Sequence, residues 1–226
     1  ALAPWSHTAD FHIQELPVRA TYPMPVVLPS GRIVVCYRET RGPIDRPLHL
    51  AESTDDGRTW SVRPLIEPEQ PDGFNEIFAG TVRADPTGAE AIHLVWTYAG
   101  RQTHNDQHRH VGYARYDLAA GRLASADGRD LGPVLRGPEA CRASLVLDTG
   151  AVLDPPGEQA RKIIDHTHQL AFDGLRPVVF YSRNESALPP EARDSAYGRH
   201  RTDVGAVARS PGELVAAVRE LLTHLD

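Results

Sequence analysis

Ser53-Thr54-Asp55-Asp56-Gly57-Arg58-Thr59-Trp60 decides how the rest of the chain is read. The stretch follows the pattern Ser-x-Asp-x-Gly-x-Thr-Trp at every specified position, and its chemistry is that of a hairpin turn. Asp55 is placed to accept hydrogen bonds from turn amides, Gly57 supplies a positive φ, and Trp60 brings an aromatic ring to bury beside the turn. Leu48-His49-Leu50-Ala51-Glu52 leads in and Thr59-Trp60-Ser61-Val62 leads out, so the turn joins two short strands.

The same arrangement recurs on both sides. Arg32-Ile33-Val34-Val35-Cys36-Tyr37-Arg38 reads as a mostly buried strand after the turn Pro29-Ser30-Gly31, with Pro25-Val26-Val27-Leu28 before it. Gly80-Thr81-Val82-Arg83 and Ala91-Ile92-His93-Leu94-Val95-Trp96-Thr97-Tyr98 flank Pro86-Thr87-Gly88, and Val111 to Tyr116 forms the next strand before Ala120-Gly121. His168 to Phe172 and Pro177 to Tyr181 enclose Asp173-Gly174. Three of these units place a Gly turn before an apolar strand that ends in an aromatic, at 28–38, 85–98 and 172–181. Radial repetition of four-stranded blades fits that pattern better than a two-sheet sandwich. The expected fold is therefore all-β, with propeller-like antiparallel blades over 1–182. At roughly 40 to 50 residues per blade the strands supply about three to four blades, which predicts a partial or truncated propeller.

The pattern breaks after residue 182. Ser210-Pro211-Gly212-Glu213, followed by Leu214, Val215, Val218, Leu221, Leu222 and Leu225, predicts an N-capped amphipathic helix over 210–226. It is expected to pack on the β domain or to support self-association. Residues 183–209, rich in Arg, Pro and Ala, are the expected linker.

Composition narrows the function. The chain has 226 residues, 24 Lys and Arg against 30 Asp and Glu, and a formal charge of −6, a balance that gives a nucleic-acid partner no support. No apolar run approaches the length of a membrane span, so no membrane partner is expected, and the first residues lack the basic and apolar regions of a signal peptide. Cys36 and Cys141 form at most one bridge, and their spacing is no metal signature.

Several segments, in order, resemble the BNR-repeat family, whose Asp box the 53–60 stretch matches. Thr21-Tyr22-Pro23, Leu28-Pro29-Ser30-Gly31-Arg32 and Tyr37-Arg38 resemble its "Tyr-Pro … Pro-Asp-Gly-x-Leu … Tyr-Arg" segment. Ile92 to Thr97 resembles "Ile-His-Leu-x-Trp-Thr". His108 to Asp117 and Ser125 to Gly132 resemble the "His-Asn-x-x-x-Tyr-Ala" strand and the "Ala-Asp-Gly-x-Asp-Leu-Gly" loop. Coverage runs from about residue 20 to residue 182. The resemblance implies a propeller, an extracellular or periplasmic location, and an acidic polysaccharide or oligosaccharide as partner, because characterised members include polysaccharide lyases.

Such a lyase neutralises a uronate carboxylate, abstracts the proton at C5 and protonates the leaving oxygen. Arg suits the first task, and Tyr or His the other two. By resemblance, Tyr22 takes the base or acid position, Arg38, sixteen residues on, the neutralising position, and His108 the position of the family's His. Arg109, His110, Tyr113, His166 and His168 are the expected substrate-binding residues. Arg109 stands where the family has Asn, and Phe74-Asn75-Glu76-Ile77-Phe78 lacks the Tyr-Pro of the corresponding family stretch.

Each residue also has a plainer reading: Tyr22 packed in an extended loop, Arg38 paired with Glu39 or Asp45, His108 in a solvated loop. No cofactor is required, although His104, His108, His110, His166 and His168 offer a metal site as the alternative, with strand alternation placing His108 and His110 on one face. Two other functions stay open. One is a sialidase-like hydrolase, which lacks its early Arg-Ile-Pro motif here; the other is a non-catalytic sugar-binding or structural propeller fragment.

Overall fold

The computed structural model describes residues 20–100, 108–149, 169–181 and, for the backbone alone, 205–207. The architecture is mostly β, in three sheets. The first runs in chain order through β1 (Ala20–Val27), β2 (Ile33–Glu39), β3 (Leu48–Ser53) and β4 (Ser61–Glu67), all antiparallel, with β10 (Leu135–Arg136) added parallel to β4. The second contains β5 (Glu76–Ala84), β6 (Ala91–Ala99), β7 (Arg109–Asp117), β8 (Arg122–Ala124) and β9 (Asp130–Gly132), with β11 (Leu145–Leu147) also paired to β7. The third contains β12 (Gln169–Asp173), β13 (Arg176–Tyr181) and β14 (Gly205–Val207).

Strand chemistry explains the layering. All nine residues of β6 are buried, as expected for a central strand of a sheet covered on both faces. β1 instead has no fully buried residue, alternates between half-buried and exposed only from Pro23 on, and carries Pro23 and Pro25. Proline lacks an N–H for the ladder, so such a strand belongs at a sheet edge, and β1 is one.

Between the first and second sheets lies the main core. Val34, Cys36, Leu48, Leu50, Leu65 and Ile66 meet Ile77, Ile92, Leu94, Trp96, Tyr98 and Tyr116 there. Burying one large apolar side chain contributes about 1.5–3 kcal/mol, so this contact dominates stability. Leu170, Val179 and Tyr181 of the third sheet pack on the opposite face of the second, against Val95, Val111 and Tyr113.

The 53–60 turn has the bonding that its sequence prescribes. Asp55 accepts from the Thr59 amide at 2.9 Å and from the Thr59 hydroxyl at 2.7 Å, while the Ser53 hydroxyl donates to Asp55 at 2.8 Å. Gly57 takes φ +80. Those bonds hold the Asp55 carboxyl down at about 2, below its ordinary value. A second turn, Ser125-Ala126-Asp127-Gly128, repeats the device: the Ser125 hydroxyl bonds Asp127 and Gly128 has φ +81.

Three features depart from the expectations. A short helix, α1 (Gly137–Ala143), with Pro at its start and Glu139 in its first turn, interrupts the β pattern. β5 begins four residues earlier than the expected strand at 80–83. β14 pairs with β13 from within the stretch expected to be linker. The helix expected over 210–226 lies outside the described residues, as does the rest of 183–209. Both cysteines are buried free thiols.

Candidate active site

Tyr22, Arg38 and His108, taken from separate parts of the sequence, come together around Phe78. Thr21 pairs with Arg38 in the β1–β2 ladder, and the register then breaks before Met24. Pro23 cannot donate to the ladder, so the strand bulges there, and Tyr22 adopts φ +54. A residue with a Cβ rarely takes that conformation, and here Tyr22 is 57% exposed.

Arg38 lies beneath that ring. Its guanidinium carbon is 4.7 Å from the Tyr22 ring centroid and 4.3 Å from that of Phe78, and the two rings lie 6.0 Å apart, so the cation packs in the corner that the two aromatics form. Its Nη1 donates to Glu76 at 2.9 Å and its Nε to the Thr21 hydroxyl at 3.2 Å. Arg38 therefore pairs with Glu76, thirty-eight residues away, rather than with its sequence neighbours Glu39 or Asp45. Glu76 is fully buried and also lies 3.3 Å from Arg46. Burial lowers the Arg38 pKa while Glu76 opposes the shift.

Phe78 continues the stack. Its centroid is 4.5 Å from the His108 ring, and the Thr97 hydroxyl lies 3.3 Å from His108 Nδ1. His108 is fully buried rather than placed in a solvated loop. Sequence reasoning missed Phe78, Glu76 and Thr97. The available signal was an acid opening an apolar strand, Glu76-Ile77-Phe78.

The remaining candidates diverge. A register irregularity between Trp96 and Tyr98, together with φ +53 at His110, turns His110 away from His108. His108 faces Phe78 and Thr97, whereas His110 lies against Tyr98 and Thr149. Simple strand alternation would place both on one face; the irregular backbone removes that relation. His110 Nδ1 lies 3.1 Å from Asp148, and burial with nearby Arg109 pushes its pKa down to about 4. Arg109 stacks over Phe74, 3.4 Å from the ring centroid, and is held by Asp72.

Tyr113 belongs to another cluster. Its hydroxyl lies 2.6 Å from His93 Nδ1, and His93 Nε2 lies 3.2 Å from Asp85. Burial disfavours the Asp85 carboxylate, but bonds from Thr87, Arg115 and His93 outweigh it and hold the carboxyl well below the usual range. Burial lowers the His93 pKa and raises that of Tyr113. This chain sits under the third sheet, with Phe172 edge-on to His93 at 5.0 Å. His104, His166 and His168 lie outside the described residues. Among the described residues no group of three His, Cys, Asp or Glu could hold a metal ion, and no helix is long and apolar enough to cross a membrane.

No curated protein matches the chain. Among solved structures it is similar to an ulvan lyase, described as a new polysaccharide lyase family, bound to an oligosaccharide of glucuronate and 3-sulfated rhamnose: 15% identity, TM-score 0.49, covering 58% of this chain and 32% of that one. The same description without ligand gives 16% identity and the same TM-score and coverage. A further polysaccharide lyase gives 16% identity and TM-score 0.43, covering 65% of this chain and 30% of that one. The chain thus spans about a third of the length of these structures. One sequence family matches residues 5–202, nearly the whole of the chain that carries the strands, the turns and the Tyr22–His108 stack, and by that match the chain belongs to the BNR repeat-containing family.

Proposed function

We propose that this chain is part of a propeller that binds acidic polysaccharide and acts on it by β-elimination at a uronate. One observation carries the reading: Tyr22, Arg38, Phe78 and His108 form a continuous stack that runs from an exposed phenol to a buried imidazole. Successive sheets pack face to face, and their first strands β1, β5 and β12 are neighbours. That is the relation of inner strands around a propeller axis, and it supports a domain over 1–182 whose site lies where β1 and β5 meet.

Each group has a task. The exposed Tyr22 side chain is within reach of a sugar, and its hydroxyl, bonded to Arg38, takes the proton at C5 or returns one to the leaving oxygen. Arg38 bonds Thr21 and Glu76 and also hydrogen-bonds Tyr22, so its guanidinium holds the phenol in place. Arg38 is only 3% exposed, so a uronate carboxylate approaching beside Tyr22 is reached by the field of this cation rather than by a direct bond, and the field offsets charge that builds up at C5 and the carboxylate. His108, held by Thr97 and Phe78, is fully buried behind them and acts on the site by positioning Phe78 rather than by touching the sugar.

A screen of uronate polysaccharides for ultraviolet absorbance of the unsaturated product tests the reading. Tyr22→Phe should lower turnover by about 10²-fold or more. Arg38→Lys keeps charge but loses the planar fork, and should cost about tenfold to a hundredfold. Product formation unaltered in both variants, with folding intact, would remove the stack from the chemistry.

A non-catalytic reading draws on one feature of the same stack: Glu76 already offsets the Arg38 charge, and Phe78 stands in the stretch where relatives carry Tyr-Pro. Binding of an acidic polymer without release of unsaturated product would favour it. Reducing ends released without that absorbance would point instead to a hydrolase.

A further inference from the structure

The connection between β2 and β3 brings one more cation to the base of the stack. Arg46 precedes β3 in the chain, but its backbone is tied to the second sheet. Its N–H donates to the Asn75 carbonyl at 3.2 Å, its carbonyl accepts from the Ile77 amide at 3.0 Å, and it bridges to Glu76 in parallel. Those bonds fix where the side chain starts. Its guanidinium, 14% exposed, brings Nε to 3.3 Å from Glu76 Oε1, the same oxygen that accepts from Arg38 Nη1 at 2.9 Å.

Three charged groups therefore meet in a space largely closed to water. Arg38 and Glu76 taken alone cancel, whereas Arg38, Glu76 and Arg46 together carry one net positive charge. Burial lowers the Arg38 pKa most, Glu76 opposes the shift, and repulsion from Arg46 adds to the lowering, so each group acts on the others. Charge in such a space is screened less than at the surface, and its field extends further. Tyr22 stands 4.7 Å over the Arg38 guanidinium and is itself 57% exposed, so the field emerges into solvent beside its ring.

We propose that Arg46 is a positioning residue of this site: without touching the substrate, it supplies the net positive field that meets an acid beside Tyr22. The inference rests on the reading of Tyr22 and Arg38 given above. Arg38 is too buried to bond the acid directly, and its partner Glu76, which fixes the guanidinium in the corner of Tyr22 and Phe78, also cancels its charge. A second guanidinium on the same carboxylate restores the charge while leaving the Arg38–Glu76 bond in place. Glu76 thus sets the geometry of the cation, and Arg46 sets the charge that the site presents.

Methyl β-glucuronide and methyl β-glucoside differ only at C6, carboxylate against hydroxymethyl, and make a matched pair of probes. Each is titrated into the full chain while the Tyr22 ring resonances are followed by NMR. Arg46→Gln keeps N–H donors beside Glu76 but removes the charge; it should weaken the glucuronide roughly threefold to tenfold and leave the glucoside unchanged. Arg46→Lys keeps the charge and should retain the glucuronide. A residue that merely held the β2–β3 connection in place would affect both probes alike. Equal weakening of both probes, a glucuronide affinity untouched by Arg46→Gln, a loss in Arg46→Lys as large as in Arg46→Gln, or a glucuronide that leaves Tyr22 unmoved in the parent would overturn the inference. Absence of unsaturated product from every uronate polymer, with the probes behaving as expected, would instead strike the elimination reading and leave Arg46 as the source of an anion-selective field.

Discussion

The second sheet has two faces, and different forces hold them. Toward the first sheet it presents Ile77, Ile92, Leu94, Trp96, Tyr98 and Tyr116, all essentially excluded from water, and the partner face is equally apolar. Toward the third sheet it presents a smaller apolar patch of Val95, Val111 and Tyr113, beside a polar chain from Tyr113 through His93 to Asp85 and Arg115. The third sheet is tied there by Thr81 to Gln169 at 2.7 Å and by Arg83 to the Leu170 carbonyl at 3.4 Å. Apolar burial has no protonation state but depends on volume, whereas a buried polar chain depends on each donor keeping its acceptor. The first contact should therefore be sensitive to cavities, and the second to protonation.

The largest effects should come from the apolar face. Leu94→Ala should cost about 2–5 kcal/mol in urea unfolding, as for other large-to-small core substitutions. Gly112→Ala probes the opposite error, because a Cβ there would stand 2.3 Å from Trp96 Cε2. Backbone fixes one side of that clash and a fully buried indole the other, so a loss of about 1–3 kcal/mol or more is expected. A Leu94→Ala cost below that of Asp85→Asn would break the comparison.

Next comes the polar face. Asp85→Asn removes the charge that Arg115 binds at 2.6 Å and His93 at 3.2 Å, and should cost about 1.5–3 kcal/mol. A smaller effect concerns pH. The His93 pKa is lowered in the folded protein, chiefly by burial with Asp85 partly opposing, so the unfolded chain binds the proton more readily. Stability from neutral His93 is then fully present above the unfolded pKa of about 6.5 and is lost as pH falls below it. His110 and His49 have the same sign. His93→Gln should therefore flatten part, not all, of the fall in urea midpoint between about pH 6.5 and 5. An identical pH slope in parent and variant would detach His93 from the contact. The smallest effect belongs to the surface: Arg122 and Asp130, both about half exposed, form an ion pair whose loss in Arg122→Ala should leave the urea midpoint unchanged.

Much of this arrangement was legible before any coordinates. Alternation, apolar runs and Gly turns located β2, β3, β6, β7 and the β12–β13 hairpin and parts of β1 and β4, because each signal lies within one element; β10, paired to β4 from far along the chain, gave none. Tyr22, Arg38 and His108 were legible as candidates through family-like segments. Helix α1 was not, because seven residues give too short a period to read against the β pattern, although Gly137-Pro138-Glu139 does mark a helix start.

By itself the sequence determined a mostly β chain, the turn chemistry of Asp55 and Gly57, and the residue types from which a sugar site could be built. Only the tertiary structure decided that Arg38 pairs with Glu76, that Tyr22 leaves its ladder in a left-handed bulge, and that His110 turns away from His108 toward a separate cavity. The physical reason is range. Turn and strand preferences are set by neighbours in the chain, whereas the partner of a buried charge and the register of a bulge are set by which sheet packs against which, and that contact joins residues with no local signal of one another.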